Sequence, residues 1–210
     1  MGMQKVIPNK MNAAFLLGPL NMEVRSIDVP VLPPGGALLK VLSIGLCGSD
    51  INRIRYTSSE ESRVLGHEIS GEIVSIDSNE SDLKVGDRVA VAHVHVPCLH
   101  CSYCNHGAQA MCRQFKALKV EPGGYADYVA ITYDHLAHSV IRIPDGVSNA
   151  AATFLDPLGC CMRAVRSSQI RAFDRVVVVG AGIMGQLFVM LLNQIQAEVI
   201  AVDISNYRLE

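Results

Sequence analysis

Val176-Val177-Val178-Val179-Gly180-Ala181-Gly182-Ile183-Met184-Gly185 is the stretch that decides the fold around it. Four consecutive β-branched residues read as a buried strand. The glycines that close it have the spacing G-x-G-x-x-G, and the long apolar run from Ile183 to Gln196 reads as a helix. A second short run, Glu198 to Val202, reads as a strand and ends at Asp203. Strand, glycine turn, helix and strand in this order form the first βαβ unit of a Rossmann fold. Each glycine has a task in such a turn. Gly180 allows the tight bend, Gly182 lets the backbone approach a pyrophosphate, and Gly185 permits close helix–strand packing. The helix start at Ile183 and Met184 offers unpaired N–H groups to phosphates. Asp203 stands at the spacing where a carboxylate accepts ribose hydroxyls and repels a 2′-phosphate, which predicts NAD rather than NADP.

Upstream of this unit, Asn149 to Gln169 has an Ala-rich, helix-like pattern with one internal proline, Pro157, to kink or interrupt it. The register changes again before Pro144-Asp145-Gly146. Ala37 to Ile44, Ile69 to Ile76, Arg88 to Val94 and Tyr128 to Ile131 read as short strands. Residues 13–44 alternate apolar runs with turn signals at Gly18-Pro19, Pro30 and Pro33-Pro34-Gly35-Gly36. Short strands separated by Gly and Pro predict a small irregular β-barrel. The expected fold class is therefore α/β with a β-rich domain, residues 1–150, followed by the beginning of a dinucleotide-binding domain, residues 151–210.

The β-rich part carries two groups of metal-ligand residue types. Gly45-Leu46-Cys47-Gly48-Ser49-Asp50 and Gly66-His67-Glu68 together supply a thiolate, an imidazole, two carboxylates and a hydroxyl. A catalytic zinc site needs this mixture of ligands, orienting groups and a proton carrier. The second group is Cys98-x2-Cys101-x2-Cys104-x7-Cys112. Two tight Cys-x2-Cys steps let neighbouring sulfurs reach one ion, and four thiolates close its shell, so this zinc is expected to be structural. His100 and His106 lie inside the lobe and are expected at its surface, because four sulfurs already complete the coordination. Seven cysteines, clustered and without a secretory signal before them, read as metal ligands rather than a disulfide framework, with a cytoplasmic location as the default.

Composition narrows the function classes. Half the residues are hydrophobic and 18% are charged, the balance of a core-forming globular chain. A net charge of −2 with no basic run argues against nucleic acid or an anionic membrane as the main partner. No apolar stretch approaches the ~20 residues of a membrane span.

Together these residues resemble the zinc-dependent medium-chain alcohol and polyol dehydrogenases, in the branch of sorbitol, sugar-alcohol-phosphate and threonine dehydrogenases. The order of motifs adds to the likeness, with Val85-Gly86-Asp87-Arg88-Val89 before the cysteine lobe and Gly123-Gly124-Tyr125-Ala126-Asp127-Tyr128 after it. The Gly-His-Glu signature is present at Gly66, His67, Glu68 and Gly71, and departs from the family at Asp77, where a small residue is usual. The resemblance implies a GroES-like catalytic domain, two zinc ions and NAD. It makes Cys47 and His67 ligands of the catalytic zinc, with Glu68 or Asp156, the latter in Leu155-Asp156-Pro157-Leu158, completing the set. Asp156 also suits the first turn of a helix before proline. Ser49 matches the family's proton-relay hydroxyl, and Asp50 the carboxylate that orients His67. The substrate implied is a secondary alcohol of a polyol, sugar alcohol or amino-alcohol. A zinc-stabilised binding module without activity and a zinc-free quinone reductase are the rival readings.

Three further expectations follow. His93 and His95 alternate on one strand and share a face, as structural histidines or as part of a substrate pocket. Arg53 and Arg55 are expected to be solvated. Two parallel strands are fewer than the six of a complete dinucleotide fold. The chain by itself is therefore expected to be an inactive fragment of a longer protein, which the resemblance makes a homodimer or homotetramer.

Overall fold

Strands β1 (Lys10–Gly18) and β2 (Asn21–Asp28) form an antiparallel hairpin, turned at Pro19-Leu20, where Leu20 takes a left-handed φ of 55°. The two-residue strand β4 (Arg63–Val64) pairs with the other edge of β1. This structure, a computed structural model, describes residues 6–57, 62–78, 81–117 and 119–210. It divides into two compact units, Met1–Leu155 and Asp156–Glu210.

The larger sheet of the first unit is antiparallel, in the order β7-β3-β5-β6-β8. Its strands are β3 (Ala37–Ile44), β5 (Ile69–Ile76), β6 (Arg88–Val91), β7 (Tyr128–Ile131) and β8 (Val140–Arg142). Side chains alternate across a strand, and here both sides are apolar. Ala37, Leu39, Val129 and Ile131 join Ile69, Ile73, Val89 and Val91 in the main core. Leu38, Tyr128 and Ala130 pack on the opposite face with Met11 of β1. A strand buried on both faces reads as a continuous apolar run, which is why β3 and β7 were visible as such.

Asp77, where the family pattern has a small residue, anchors the loop before β3. Its carboxylate accepts from the Gly35 N–H at 2.9 Å, and its own N–H donates to the Gly36 carbonyl at 2.9 Å.

Helix α1 (Gly48–Tyr56) follows β3 and carries Arg53 and Arg55, both exposed, in its last turn, where they complement the helix dipole. Among the described residues, short α-helices α2 (Ser102–Asn105), α3 (Arg113–Ala117) and α4 (Tyr133–His138) lie between β6 and β8, with a 3-10 turn at Gln109–Met111. The helical pattern expected over 149–169 is split in two, α5 (Asn149–Ala152) and α6 (Leu155–Ser167). Pro157 is not the interruption. It sits in the first turn of α6, where a missing N–H costs nothing, and the break falls before it at Thr153-Phe154.

In the second unit β9 (Arg175–Val179) and β10 (Glu198–Val202) pair in parallel, from Arg175↔Glu198 to Val179↔Val202. They are joined through α7 (Ile183–Gln194), as the glycine-turn reading predicts. Val178, Leu192 and Ala197 form the buried centre, with Val165 of α6 and Phe188 of α7 against it.

Candidate active site and metal centres

Cys47, His67 and Glu68 each bring a donor atom to within 4.8 Å of the other two. Cys47 is the N-cap residue of α1, in extended conformation, with its carbonyl accepting the N–H of Asp50 and of Ile51. Its side chain makes no cap hydrogen bond, so the sulfur is left for another task. His67 and Glu68 directly precede β5, and the Gly45 N–H donates to the Glu68 carbonyl at 2.9 Å, holding the two motifs side by side. Three protein donors of mixed S, N and O type are one fewer than tetrahedral zinc takes, the count of a catalytic rather than a closed site.

Asp50, in the first turn of α1, is 1% exposed and lies behind the histidine. Its Oδ2 is 3.3 Å from His67 Nδ1, which leaves Nε2 to face a metal. The hydrogen bond to Asp50, against the opposing effect of burial, pushes the His67 pKa up to about 9. Burial opposes ionisation of Asp50, but the hydrogen bond and charge of His67, with the Tyr125 hydroxyl, hold its carboxyl below the ordinary range. A carboxylate so placed favours a cation on the imidazole, proton or metal alike.

The cysteine lobe gathers four sulfurs, all unoxidised and within 4.8 Å of one another. Cys101 and Cys104 are 3.5 Å apart, Cys98 and Cys112 3.6 Å, and Cys98 and Cys104 4.0 Å. Four sulfurs at about 2.3 Å from a tetrahedral zinc must stand about 3.8 Å from one another, so the cage already has the size of the ion. Backbone N–H groups point at it. The Cys98 N–H donates to Cys112 Sγ, and this bond leads the effects that lower the Cys112 thiol to about 6. Burial, followed by the neighbouring sulfurs, pushes Cys104 up to about 12. Thiols this close do not all ionise without a cation among them. His100 and His106 are exposed and turn Nδ1 to the lobe's own carbonyls, Cys98 and Ser102, each at 2.7 Å.

In the second unit Gly180 has φ +98°, a conformation that favours glycine. A Cβ at Gly185 would lie 1.8 Å from the Gly180 carbonyl oxygen, so α7 packs on the turn only without one. Gly182 is the N-cap of α7, and no main-chain atom crowds its Cα. Ile183 and Met184 start the helix and are exposed. Asp203 accepts from the Ala181 N–H and the Ser205 N–H, both at 2.8 Å, with Arg208 at 3.5 Å. The backbone N–H groups of Ser205 and Ala181 keep its carboxyl below the ordinary range. The carboxylate thus braces the end of β10 against the glycine turn.

Residues 33–145, more than half the chain, match the alcohol dehydrogenase GroES-like domain. The chain belongs to the zinc-type medium-chain alcohol dehydrogenase family. It is 32% identical over 203 residues to L-galactonate-5-dehydrogenase of Escherichia coli, covering 95% of this chain and 58% of the relative. It is 29% identical to sorbitol dehydrogenase of Bacillus subtilis, covering 99% and 60%. Its fold matches that of acetophenone reductase from Geotrichum candidum in complex with NAD, with a TM-score of 0.81 at 26% identity, over 96% of this chain and 60% of that one. The chain therefore spans about three fifths of the length of these relatives. The matched GroES-like domain lies within the first unit, and the second unit holds the βαβ unit with which a Rossmann fold begins.

Within this member of the family the remaining expected residues fall as follows. Ser49 is exposed in the first turn of α1, two positions from Cys47. Asp156 lies in the first turn of α6, in the second unit, and is not among the three grouped donors. β6 ends at Val91, so His93 and His95 are not on a strand. Their rings meet Phe115 instead, at 4.8 and 5.5 Å between centroids. Sequence reasoning assigns no role to Tyr125, whose hydroxyl donates to Asp50 Oδ2 at 3.1 Å. The Gly123-Gly124-Tyr125 motif was quoted for the family likeness, and its paired glycines were the available signal of a close chain crossing. No helix among the described residues is long and apolar enough to cross a membrane.

Proposed function

We propose that the whole protein is a zinc-dependent dehydrogenase that oxidises a secondary alcohol of a polyol, sugar alcohol or amino-alcohol with NAD. The observation that carries this reading is the meeting of Cys47, His67 and Glu68, with Asp50 lodged behind the histidine. When bound, zinc supplies Lewis acidity toward an alcohol oxygen, and NAD supplies the hydride acceptor. Cys47 Sγ, His67 Nε2 and a Glu68 carboxylate oxygen are the protein donors. Asp50 holds the His67 ring in the orientation that presents Nε2. Ser49 Oγ takes the substrate hydroxyl proton and passes it outward, a role its exposure at the start of α1 permits.

The turn at Gly180, Gly182 and Gly185 receives the pyrophosphate, with the Ile183 and Met184 N–H groups toward its oxygens. Asp203 accepts the adenosine ribose hydroxyls and disfavours a 2′-phosphate. The four cysteines of the lobe hold a second, structural zinc. The names of the Escherichia coli and Bacillus subtilis relatives, and the Asp156-Pro157-Leu158 sequence, favour hydroxyl-rich substrates over simple primary alcohols. A homodimeric or homotetrameric cytoplasmic enzyme completes the proposal.

The test is NAD reduction by the whole protein across polyols, sugar alcohols and amino-alcohols, with zinc content measured in parallel. Reduction that disappears with Cys47→Ser is expected. A zinc-replete protein that oxidises none of these alcohols would instead be a zinc-stabilised binding module.

A further inference from the structure

Tyr125 reaches the metal-ligand cluster from a distant part of the sequence, 75 positions from Asp50 and 80 from Gly45. Its backbone is fixed on both sides. Its N–H donates to the Leu65 carbonyl at 2.9 Å, its carbonyl accepts from Ala14 at 2.8 Å, and the Gly124 N–H donates to Gly66 at 2.9 Å. Gly66, immediately before His67, makes room for the ring: a Cβ there would lie 2.9 Å from Tyr125 N and 3.0 Å from Cδ1. The phenol is thereby delivered to one place. Its oxygen is 3.1 Å from Asp50 Oδ2 and 3.3 Å from the Gly45 carbonyl oxygen.

Both partners matter to the ligand set. Asp50 Oδ2 is the oxygen that meets His67 Nδ1, while Oδ1 is buried with no hydrogen-bond partner among the described residues. The imidazole and the phenol converge on Oδ2, and the Gly66 backbone N–H lies beside the same carboxylate. Gly45 is two residues before Cys47, and a Cβ on it would lie 2.0 Å from Glu68 Oε2. The one hydroxyl proton, shared between two acceptors with the carboxylate the nearer, thus spans the group behind His67 and the segment that leads to Cys47 and backs Glu68.

We propose that Tyr125 is a positioning residue of the metal centre, whose hydroxyl fixes Asp50 against His67 and ties it to the Gly45 segment beside Cys47 and Glu68. This rests on the reading of Cys47, His67 and Glu68 as a metal site. A phenylalanine would fill the same space beside Gly66 but would leave a buried carboxylate oxygen without its O–H donor. Groups that orient a ligand histidine are worth about 10–100-fold in metal affinity. Tyr125 acts one bond further out, so about tenfold is expected.

The experiment uses the chain loaded with Zn²⁺, and separately with Co²⁺, as wild type, Tyr125→Phe, Asp50→Asn and the double variant. Cys47→Ser identifies which phase of metal release to a chromogenic chelator belongs to this site. Tyr125→Phe is expected to release that metal about tenfold faster and to shift the ligand-field bands of the cobalt form. Release from the four-cysteine lobe should stay at the wild-type rate. In the Asp50→Asn background, Tyr125→Phe should add little, since its effect runs through that carboxylate. A lowered melting temperature with unchanged release and unchanged cobalt bands would reduce Tyr125 to a packing residue and overturn the inference. So would a full tenfold effect persisting with Asp50→Asn. A wild-type chain with no metal that Cys47→Ser removes would overturn the metal-site reading itself, an outcome distinct from the other two.

Discussion

A Cβ on Gly45 would meet the Glu68 side chain at 2.0 Å from Oε2 and 2.9 Å from Cβ. The carboxylate can lie beside Cys47 and His67 only because residue 45 has no side chain. Gly45→Ala is therefore expected to displace Glu68 and strip the metal from this site, leaving one zinc in the cysteine lobe, as elemental analysis would read. Ser49 is a cleaner probe of chemistry, since it is no ligand. Ser49→Ala in the whole protein should keep its zinc and lose about 10²–10⁴-fold in turnover, the usual worth of a positioned acid–base group. Unchanged turnover would remove Ser49 from the proton path. Asp203→Ser should raise the relative use of NADP over NAD in kcat/KM, because it removes the charge that opposes a 2′-phosphate. It also removes the acceptor for the Ala181 and Ser205 N–H groups, so some loss of stability should accompany the change.

At the scale of elements, the second unit depends on one close approach. Gly185→Ala would force a Cβ to 1.8 Å from the Gly180 carbonyl oxygen, which the helix can relieve only by moving. Overpacking of this kind costs about 1–3 kcal/mol or more, and a thermal melt should register it while zinc content stays unchanged. That turn was legible in the sequence because its strand, glycines and helix are contiguous and each has a local physical reason. Strands β3, β5, β7, β9 and β10 were legible for the same reason, their apolar runs being bounded by turn residues. The end of β6 was not: Ala92 to His95 continues the alternating pattern, but tertiary bonds claim it, with the Ala92 N–H going to the Ser139 carbonyl and the His93 N–H to the Ser139 hydroxyl. The break in the helix over 149–169 was assigned to Pro157, whereas the chain leaves the helix at Thr153-Phe154 and begins α6 anew. Tyr125 was out of reach for a different reason. Its partners are 75 and 80 residues away, and no periodicity encodes a contact at that range.

Over the whole molecule, both groups of candidate metal donors belong to the first unit and the proposed dinucleotide turn to the second. The motifs that announced the family in the sequence are the residues that assemble these places. Cys47, His67 and Glu68 converge from the end of β3 and the start of β5, and four cysteines within fifteen positions close on one another. The central claim is that these are two separate metal centres, one with three protein donors and one with four. Zinc per chain, measured by elemental analysis after purification in reducing, metal-replete buffer, tests it most directly. The wild-type chain should hold two zinc ions, Cys47→Ser should hold only that of the lobe, and Cys112→Ser only that at Cys47, with a loss of stability for the second variant alone. A wild-type chain with one zinc or none, or a Cys47→Ser chain that still holds two, would contradict the account.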